Sequence, residues 1–278
     1  MRSPPTLLAA DVGNSRIKYG WFEAEAIGTN GAWPVCRQFT ATPLDAPVPV
    51  EQLRAWAGES EPRLVLAGSN PEVVLRIAER WERQLGHRAR VVCDRHALPL
   101  EVTVESPETV GLDRLLNAVA ANALRPSDRA AIVIDSGTAT TVDLITPRGA
   151  FAGGAILPGF ALSAQALHHY TALLPLLSLT DLGPELPLPL GRNTREALRS
   201  GIYWGQVGAI RQIVQSLIDT LGLTTPWLLL TGGGAPWLGE QFPGVRQIPS
   251  LAMHGLVLTV WQGEAEFQAT GIRCQARE

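Results

Sequence analysis

The sequence predicts an α/β protein made of two duplicated lobes, and three observations support this. Two short stretches echo each other at an offset of 124 residues, LLAADVG at 7–13 and AIVIDSG at 131–137. Each is an apolar run typical of a buried strand, followed by Asp, one further residue and Gly. Strand-like and helix-like segments alternate along the chain, which is typical of α/β layers. The 278 residues are enough for two lobes, which we expect at 1–110 and 111–278.

The first half of the chain is predicted to open with a hairpin. Asp-x-Gly-Asn favours a turn, because Gly tolerates positive φ and Asp and Asn hydrogen-bond their own backbone. A second strand is therefore expected at 16–22. Pro71 suits the first turn of a helix, where its missing N–H has no intrahelical partner to lose. The further segments expected are a strand at 63–67, a helix at 71–85, a strand at 89–93 and a helix at 111–124.

The second half is predicted to open with the same hairpin, whose return strand covers 140–145. A long helix is expected at 193–221, which the glycines between 201 and 208 could interrupt. The other segments expected are a strand at 150–157, a helix at 160–173, a Pro-rich loop at 175–190, a strand at 227–231, a helix opening at Pro236 and a helix at 250–263.

Composition and charge argue against several classes of protein. The formal net charge is −3, from 23 basic and 26 acidic residues, whereas a general nucleic-acid binder usually carries a strong basic excess. The three cysteines form no CxxC or Cys/His cluster, so no structural zinc site is expected. The N-terminal apolar run is too short for a secretory signal, and none approaches the roughly 20 apolar residues of a spanning helix. We expect a cytoplasmic protein without nucleic-acid or membrane partners.

The first motif, DVGNS at 11–15, has the composition of a phosphate-binding turn. A glycine turn between strands lets backbone N–H groups approach phosphate oxygens closely. Asp11 could hold Mg²⁺, which prefers one or two carboxylates together with substrate phosphates. Taken alone, the motif fits an Asp-Gly hairpin without a ligand better. Lys18 on the next strand fits an exposed lysine better than a phosphate contact.

The second motif, DSGTATTVD at 135–143, repeats this turn and adds hydroxyl groups. Two such turns facing each other across a cleft could grip the β- and γ-phosphates of a nucleotide. This arrangement resembles the phosphate clamp of the actin, sugar-kinase and Hsp70 ATPase superfamily. A third glycine element, TGGGAP at 231–236, favours close approach of an adenosine over the alternative, a tight strand-to-helix connection.

The fourth motif, GLDR at 111–114, places an acid and a base at a helix start. In phosphoryl transfer to an alcohol, a carboxylate accepts the hydroxyl proton. An arginine can hold an acceptor carboxylate through two parallel hydrogen bonds. By spacing alone, the simpler interpretation is favoured, in which Asp113 is a first-turn acid that interacts with the helix dipole.

Six motifs in a fixed order resemble the type III pantothenate kinase family, which includes Bvg accessory factor homologues. They are DVGNS, GLDR, DSGTATTVD, GGAILPG at 153–159, GRNT at 191–194 with Ser200-Gly201, and TGGGAP. The resemblance runs from Leu7 to about Leu256. It implies two ribonuclease-H-like lobes, a homodimer, and ATP-dependent phosphorylation of pantothenate to 4′-phosphopantothenate, the first step of coenzyme A biosynthesis.

The resemblance also implies roles for individual residues. Asp113 is expected to accept the proton as the catalytic residue, with Arg114 near the pantothenate carboxylate. The ATP contacts implied are Asp11, Val12, Gly13, Asn14, Ser15, Arg16, Ile17, Lys18 and Thr138. The pantothenate contacts implied are Gly111, Leu112, Asp113, Arg114 and Thr194, the last of which can reach across the dimer in the family. The cofactors implied are ATP, Mg²⁺ near Asp11, and a monovalent cation, K⁺ or NH₄⁺, at Asp135.

One departure from the family pattern leaves alternatives open. Val104 stands where the family usually has a tyrosine, seven residues before the glycine of GxDR, so one pantothenate contact is missing or replaced. The alternatives are a nonenzymatic regulatory or accessory homologue, and a kinase of the same superfamily acting on another small hydroxylated acid or sugar. His168 and His169 point about 100° apart on a helix, which makes them a poor metal pair.

Overall fold

The computed structural model describes residues 6–27, 31–183 and 185–263. They form two compact units, each discontinuous in sequence. Unit 1 comprises the described residues up to Leu100, Glu105–Ala123 and those from Leu251 onward, and unit 2 comprises Glu101–Val104 and Leu124–Ser250. This division differs from a single boundary between residues 110 and 111.

The secondary structure follows the alternation that the sequence predicts. In chain order the elements are β1 (Thr6–Val12), β2 (Arg16–Ile27), β3 (Gly31–Pro43), α1 (Val50–Ala57), β4 (Leu64–Gly68), α2 (Pro71–Leu85), β5 (Arg90–Val91), α3 (Leu112–Leu124), β6 (Ala131–Ser136), β7 (Ala139–Ile145), β8 (Phe151–Pro158), α4 (Phe160–His169), α5 (Leu179–Leu182), α6 (Thr194–Leu221), β9 (Trp227–Thr231), α7 (Ala235–Leu238), β10 (Arg246–Gln247) and α8 (Leu251–Gln262). Short 3-10 turns lie at Arg95–Ala97, Pro107–Thr109 and Gly239–Gln241.

The two sheets share one topology. In unit 1 the strand order is β3-β2-β1-β4-β5, and in unit 2, read from the opposite edge, it is β8-β7-β6-β9-β10. In both, the first three strands of the unit are antiparallel neighbours, and the last two run parallel to the central strand. Three antiparallel strands followed by two parallel ones form the ribonuclease-H-like sheet, so the predicted α/β fold with a duplicated lobe is confirmed.

One face of the unit 1 sheet packs against α1 and α2. Asn70 begins α2 by accepting a hydrogen bond from the Val73 N–H at 3.2 Å, and Gly86 ends it in the left-handed conformation at φ +76°. These local signals, an N-cap followed by proline and a C-cap glycine, explain why the predicted bounds of 71–85 are confirmed.

The other face of this sheet packs against α8, which is mostly apolar and almost completely buried. A Cβ at Gly20 of β2 would lie 3.0 Å from the Met253 Cε of this helix. A Cβ at Gly255 would lie 1.9 Å from the Leu116 carbonyl oxygen, so α3 and α8 pack with their backbones in close contact. This packing assigns both helices to unit 1, although they lie after residue 110 in sequence.

In unit 2, α4, α6 and α7 cover one face of the sheet. The helix α6 is continuous, and the predicted interruption at 201–208 is wrong. A Cβ at Gly201, Gly205 or Gly208 would meet nothing within 4 Å. Among the described residues, no neighbouring backbone approaches the helix at these glycines, so nothing interrupts it there. The loop predicted at 175–190 contains the short helix α5, and α4 ends at His169 rather than at 173. No helix among the described residues is both long and apolar enough to span a membrane.

Candidate active site

The first Asp-x-Gly turn closes the hairpin between β1 and β2. The Gly13 N–H donates to the Arg16 carbonyl at 3.0 Å, so Asn14 and Ser15 lie at the exposed tip. The Ser69 N–H donates to the Val12 carbonyl at 3.0 Å, and the Ser69 hydroxyl contacts the Asn14 side-chain oxygen at 3.3 Å. The turn is therefore held from the side by the residue that follows β4.

Asp11 lies at the end of β1 with its side chain almost completely buried. It pairs with Lys18 across the antiparallel ladder, and the Lys18 ammonium contacts its carboxylate at 3.3 Å. Burial raises the pKa of Asp11 above its ordinary value of 3.8, and the Lys18 charge opposes this increase. Lys18 is thus an ion-pair partner of Asp11, in contrast to the exposed strand lysine that the spacing alone favours.

The GLDR motif begins α3 on the same side of the sheet as Asp11. Side chains alternate along a strand, so Asp11 shares the α8 face with Ala9, and α3 packs against α8 on that face. The negative charge of Asp113 also raises the pKa of Asp11, so the two carboxylates lie within electrostatic range. Asp113 is half-buried and accepts a hydrogen bond from the Arg114 N–H at 2.9 Å.

The absence of a side chain at Gly111 leaves room for this carboxylate. A Cβ at Gly111 would lie 2.5 Å from Asp113 Oδ1, so any other residue would displace the acid. Before the motif, Arg95 donates to the Val110 carbonyl at 2.9 Å and fixes the approach of the chain to α3. The position of Asp113 is therefore set by both backbone and side-chain contacts.

The second Asp-x-Gly turn closes the hairpin between β6 and β7 in unit 2. The Gly137 N–H donates to the Ala139 carbonyl at 3.0 Å, and Gly137 and Thr138 are exposed at the tip. The Gly159 N–H donates to the Thr138 carbonyl at 3.0 Å, and a Cβ at Gly159 would lie 2.3 Å from the Gly137 carbonyl. The corner between β8 and α4 thus lies directly against the turn.

The third glycine element folds over the same turn. Gly232 has φ +91°, and a Cβ there would lie 2.4 Å from the Ser136 carbonyl and 2.5 Å from Asp135 Oδ1. The Gly234 N–H donates to the Ser136 carbonyl at 2.8 Å. The structure therefore brings two of the sequence motifs, DSGT and TGGGAP, into contact within unit 2, at a spacing that only glycine permits.

Comparison with known proteins decides the family. The model of the type III pantothenate kinase family matches residues 7–216, well over half of the chain. A protein of Dehalococcoides mccartyi named type III pantothenate kinase is 32% identical, over 93% of this chain and 98% of that protein. A protein of the same name from Paramagnetospirillum magneticum is 33% identical, over 90% of this chain and 95% of that protein.

The chain belongs to the type III pantothenate kinase family. Among solved structures, a protein from Campylobacter jejuni described as a Baf family transcriptional activator aligns with a TM-score of 0.56. It covers 93% of this chain and all of that one at 17% identity, a level at which the likeness concerns the fold alone.

The expected metal and cation positions of this type III pantothenate kinase family member are compatible with its side chains. Asp11 and Asp113 place two carboxylates in electrostatic range, and carboxylates with phosphate oxygens are the ligands that Mg²⁺ prefers. Within the described ranges, no three His, Cys, Asp or Glu side chains form a metal-binding group. At Asp135, the glycine at 232 leaves room for the carboxylate, since a Cβ there would lie 2.5 Å from Asp135 Oδ1.

Two further residues singled out in the sequence, Thr194 and Val104, lie in unit 2. Thr194 is exposed at the start of α6, beside Asn193, which caps the helix by accepting from the Glu196 N–H at 2.9 Å. Val104 lies beside β8, and its Cγ1 would be 3.4 Å from a Cβ at Gly153. The neighbouring Thr103 N–H donates to the Phe151 carbonyl at 2.9 Å, which holds this segment against the strand.

Two polar residues at these turns were missed by sequence reasoning. Ser69 contacts the first turn but follows an ordinary strand and carries no motif. Gln206 contacts the strand after the second turn: it accepts from the Thr140 hydroxyl at 3.0 Å and donates to the Pro158 carbonyl. A signal for Gln206 does exist, because it lies on an apolar stretch of α6 next to Tyr203 and Val207, where an unpartnered amide would be costly.

Proposed function

We propose that this protein transfers the γ-phosphoryl group of ATP to the terminal hydroxyl of pantothenate, giving 4′-phosphopantothenate for coenzyme A biosynthesis. The observation that carries the proposal is the placement of Asp113. Its carboxylate is ordered at the start of α3 by Gly111 and the Arg114 N–H, and it lies within electrostatic range of Asp11 at the first turn. Membership of the family and relatives named for this activity support the choice of substrate.

Asp113 is the proton acceptor in this proposal. As the pantothenate hydroxyl oxygen attacks the γ-phosphorus in line, its proton passes to the Asp113 carboxylate, and the β–γ bridging oxygen leaves with ADP. Arg114 binds the pantothenate carboxylate and thereby orients the hydroxyl. Catalysis then depends chiefly on positioning and on charge stabilisation, since the transferred group undergoes little other covalent chemistry.

The ATP contacts are assigned to the two Asp-x-Gly turns. The backbone of residues 11–18 and the hydroxyl of Thr138 contact the phosphates, and the glycines keep the backbone close enough for N–H donation. Asp11 would hold Mg²⁺ and Asp135 a monovalent cation such as K⁺ or NH₄⁺. When bound, these ions supply positive charge that offsets the charge of the phosphates.

We also propose a cytoplasmic homodimer in which Thr194 contributes to a pantothenate site. Unit 2 exposes large apolar side chains between residues 170 and 190, with Tyr170 82%, Leu173 91%, Leu188 76% and Leu190 74% exposed. Exposed apolar patches mark interaction surfaces. Thr194, exposed at the start of α6, follows this stretch closely in sequence.

The direct test is an ADP-release assay on purified protein with pantothenate and Mg-ATP, in K⁺ and in Na⁺ buffers. We expect ADP release that depends on pantothenate and is faster in K⁺. Asp113→Asn should abolish turnover and leave equilibrium ATP binding nearly unchanged, because the amide cannot accept the proton. Asp128→Asn, a change at an exposed acid in the loop before β6, is the matched control and should retain full activity.

Two results would contradict the proposal. Near-normal turnover by Asp113→Asn would refute the role of Asp113 as proton acceptor. ATP binding without ADP release at high pantothenate would refute the substrate, and screening other hydroxylated acids and sugars would then separate another kinase activity from a regulatory homologue.

A further inference from the structure

Gln206 joins three elements of unit 2 beneath the second turn. It lies in the middle of α6 and is only 6% exposed. Its side-chain oxygen accepts a hydrogen bond from the Thr140 hydroxyl of β7 at 3.0 Å, and its side-chain nitrogen donates to the Pro158 carbonyl at the end of β8. One amide group thus connects a helix, the strand that leaves the turn, and the corner that leads into α4.

Both partners of Gln206 adjoin the Gly137–Thr138 tip. Thr140 lies opposite Ser136 in the β6–β7 ladder, so it is the first residue paired across the base of the turn. Pro158 lies opposite Ala139 and precedes Gly159, whose N–H donates to the Thr138 carbonyl at 3.0 Å. A shift of Thr140 or Pro158 is therefore expected to move the backbone of Thr138.

The surroundings make the loss of either hydrogen bond costly. Thr140 is fully buried, and the helix neighbours Ile202, Tyr203 and Ile210 belong to the apolar core of unit 2. Water does not replace a lost partner in such a place, so each polar group keeps its partner or bears the cost of desolvation. The amide has one donor and one acceptor contact, which fixes its orientation.

We propose that Gln206 is a positioning residue for ATP, which holds the Gly137–Thr138 turn in its binding geometry through Thr140 and the Pro158 carbonyl. This inference rests on the proposed contact between Thr138 and ATP. Gln206 lies on α6 beneath the sheet and acts through the turn, without contact with the nucleotide. Its effect is therefore specific to ATP and should not extend to pantothenate.

The test is Gln206→Met, which keeps the length and volume of the side chain but removes both hydrogen-bonding groups. We expect the KM for ATP and the equilibrium Kd for ATP to rise about tenfold, which corresponds to about 1.4 kcal/mol. The KM for pantothenate should stay within about twofold of the wild-type value. Gln212→Met is the matched control, because Gln212 is an exposed glutamine of the same helix that contacts Ser216, and it should change neither constant.

Thr140→Val provides a second route to the same contact if Gln206→Met does not fold. It is nearly isosteric and removes only the hydroxyl that donates a hydrogen bond to Gln206, so it should also weaken ATP binding. In the double variant, the two effects should be less than additive, since both changes break one network. A purely structural role would instead lower the melting temperature of each variant and leave both constants unchanged, which would overturn the proposal.

Failure of the proposed function and failure of this inference are distinguishable. If the protein binds ATP but does not phosphorylate pantothenate, pantothenate is refuted as the substrate. The effect of Gln206→Met on the Kd for ATP still tests the positioning role in that case. If Thr138→Ala weakens ATP binding and Gln206→Met does not, the positioning role is refuted and the ATP contact stands. If Thr138→Ala leaves ATP binding intact, both the contact and the role of Gln206 are refuted.

Discussion

Replacement of Gly232 by alanine should disturb the second turn more than replacement of Gly233 by alanine. The backbone at Gly232 has φ +91°, where an L side chain is strained. A Cβ there would also lie 2.4 Å from the Ser136 carbonyl and 2.5 Å from Asp135 Oδ1. The Ser136 carbonyl cannot simply move away, because it accepts the Gly234 N–H at 2.8 Å.

The expected cost has two parts. A non-glycine residue in such a backbone region costs about 1–3 kcal/mol. Forcing additional atoms into a packed site adds roughly 1–3 kcal/mol, so Gly232→Ala should lower the free energy of unfolding by about 2–6 kcal/mol in total.

Two other glycines of unit 2 separate these parts. Gly244 has φ +78° and nothing within 4 Å of an added Cβ, so Gly244→Ala should cost only the backbone part. Gly233 is exposed, is not in the left-handed region and has nothing within 4 Å, so Gly233→Ala should change stability by less than about 0.5 kcal/mol.

Urea unfolding followed by tryptophan fluorescence measures the three variants against wild type, and ATP titration measures the site. Displacement of Asp135 and Ser136 should make Gly232→Ala bind ATP more weakly than Gly244→Ala does. If Gly232→Ala is as stable as Gly233→Ala and binds ATP normally, the contact between the TGGG loop and the DSG turn is refuted.

Two further substitutions test the buried acid and the departure from the family pattern. Because burial raises the pKa of Asp11 above 3.8, the folded state binds a proton more readily than the unfolded state, and stability falls as pH rises from 3.8 through the folded-state pKa. Asp11→Asn should therefore remove this decline and increase the free energy of unfolding at pH 7 while it lowers turnover; a less stable variant at pH 7 would show that the Lys18 contact outweighs burial. Val104→Tyr should lower the KM for pantothenate, since it restores the residue typical of the family, and an unchanged or higher KM in the ADP-release assay would contradict the idea that Val104 weakens substrate binding.

Much of the fold follows from local sequence signals. The hairpin turns were predictable because Asp, Gly and Asn adopt turn conformations through their own backbone and side-chain chemistry. The bounds of α2 were predictable because Asn70, Pro71 and Gly86 act within one helical turn of each end. In contrast, β3 was missed: its sequence at 31–43 pairs with β2 as an outer strand, and it lacks the continuous apolar run that marks a buried strand.

The site was predictable only in part. The residue types of the four motifs indicated phosphate and acid–base chemistry, but spacing alone favoured simpler interpretations of Asp11, Lys18 and Asp113. The structure brings Lys18 to 3.3 Å from Asp11 and places Asp113 in electrostatic range of it, although about 100 residues separate the two acids. A distance between residues so far apart in the chain cannot be inferred from local sequence patterns.

The sequence by itself determined the turns and the alternation of strands and helices, because these depend on interactions between residues close in the chain. It also indicated the duplication, because the stretches at 7–13 and 131–137 repeat one pattern. Only the tertiary structure decided that α3 and α8 pack with the first sheet, that α6 is continuous, and that Gln206 connects Thr140 with Pro158. The physical reason is that burial and hydrogen-bond pairing inside a core depend on which surfaces meet, and residues far apart in sequence supply those surfaces.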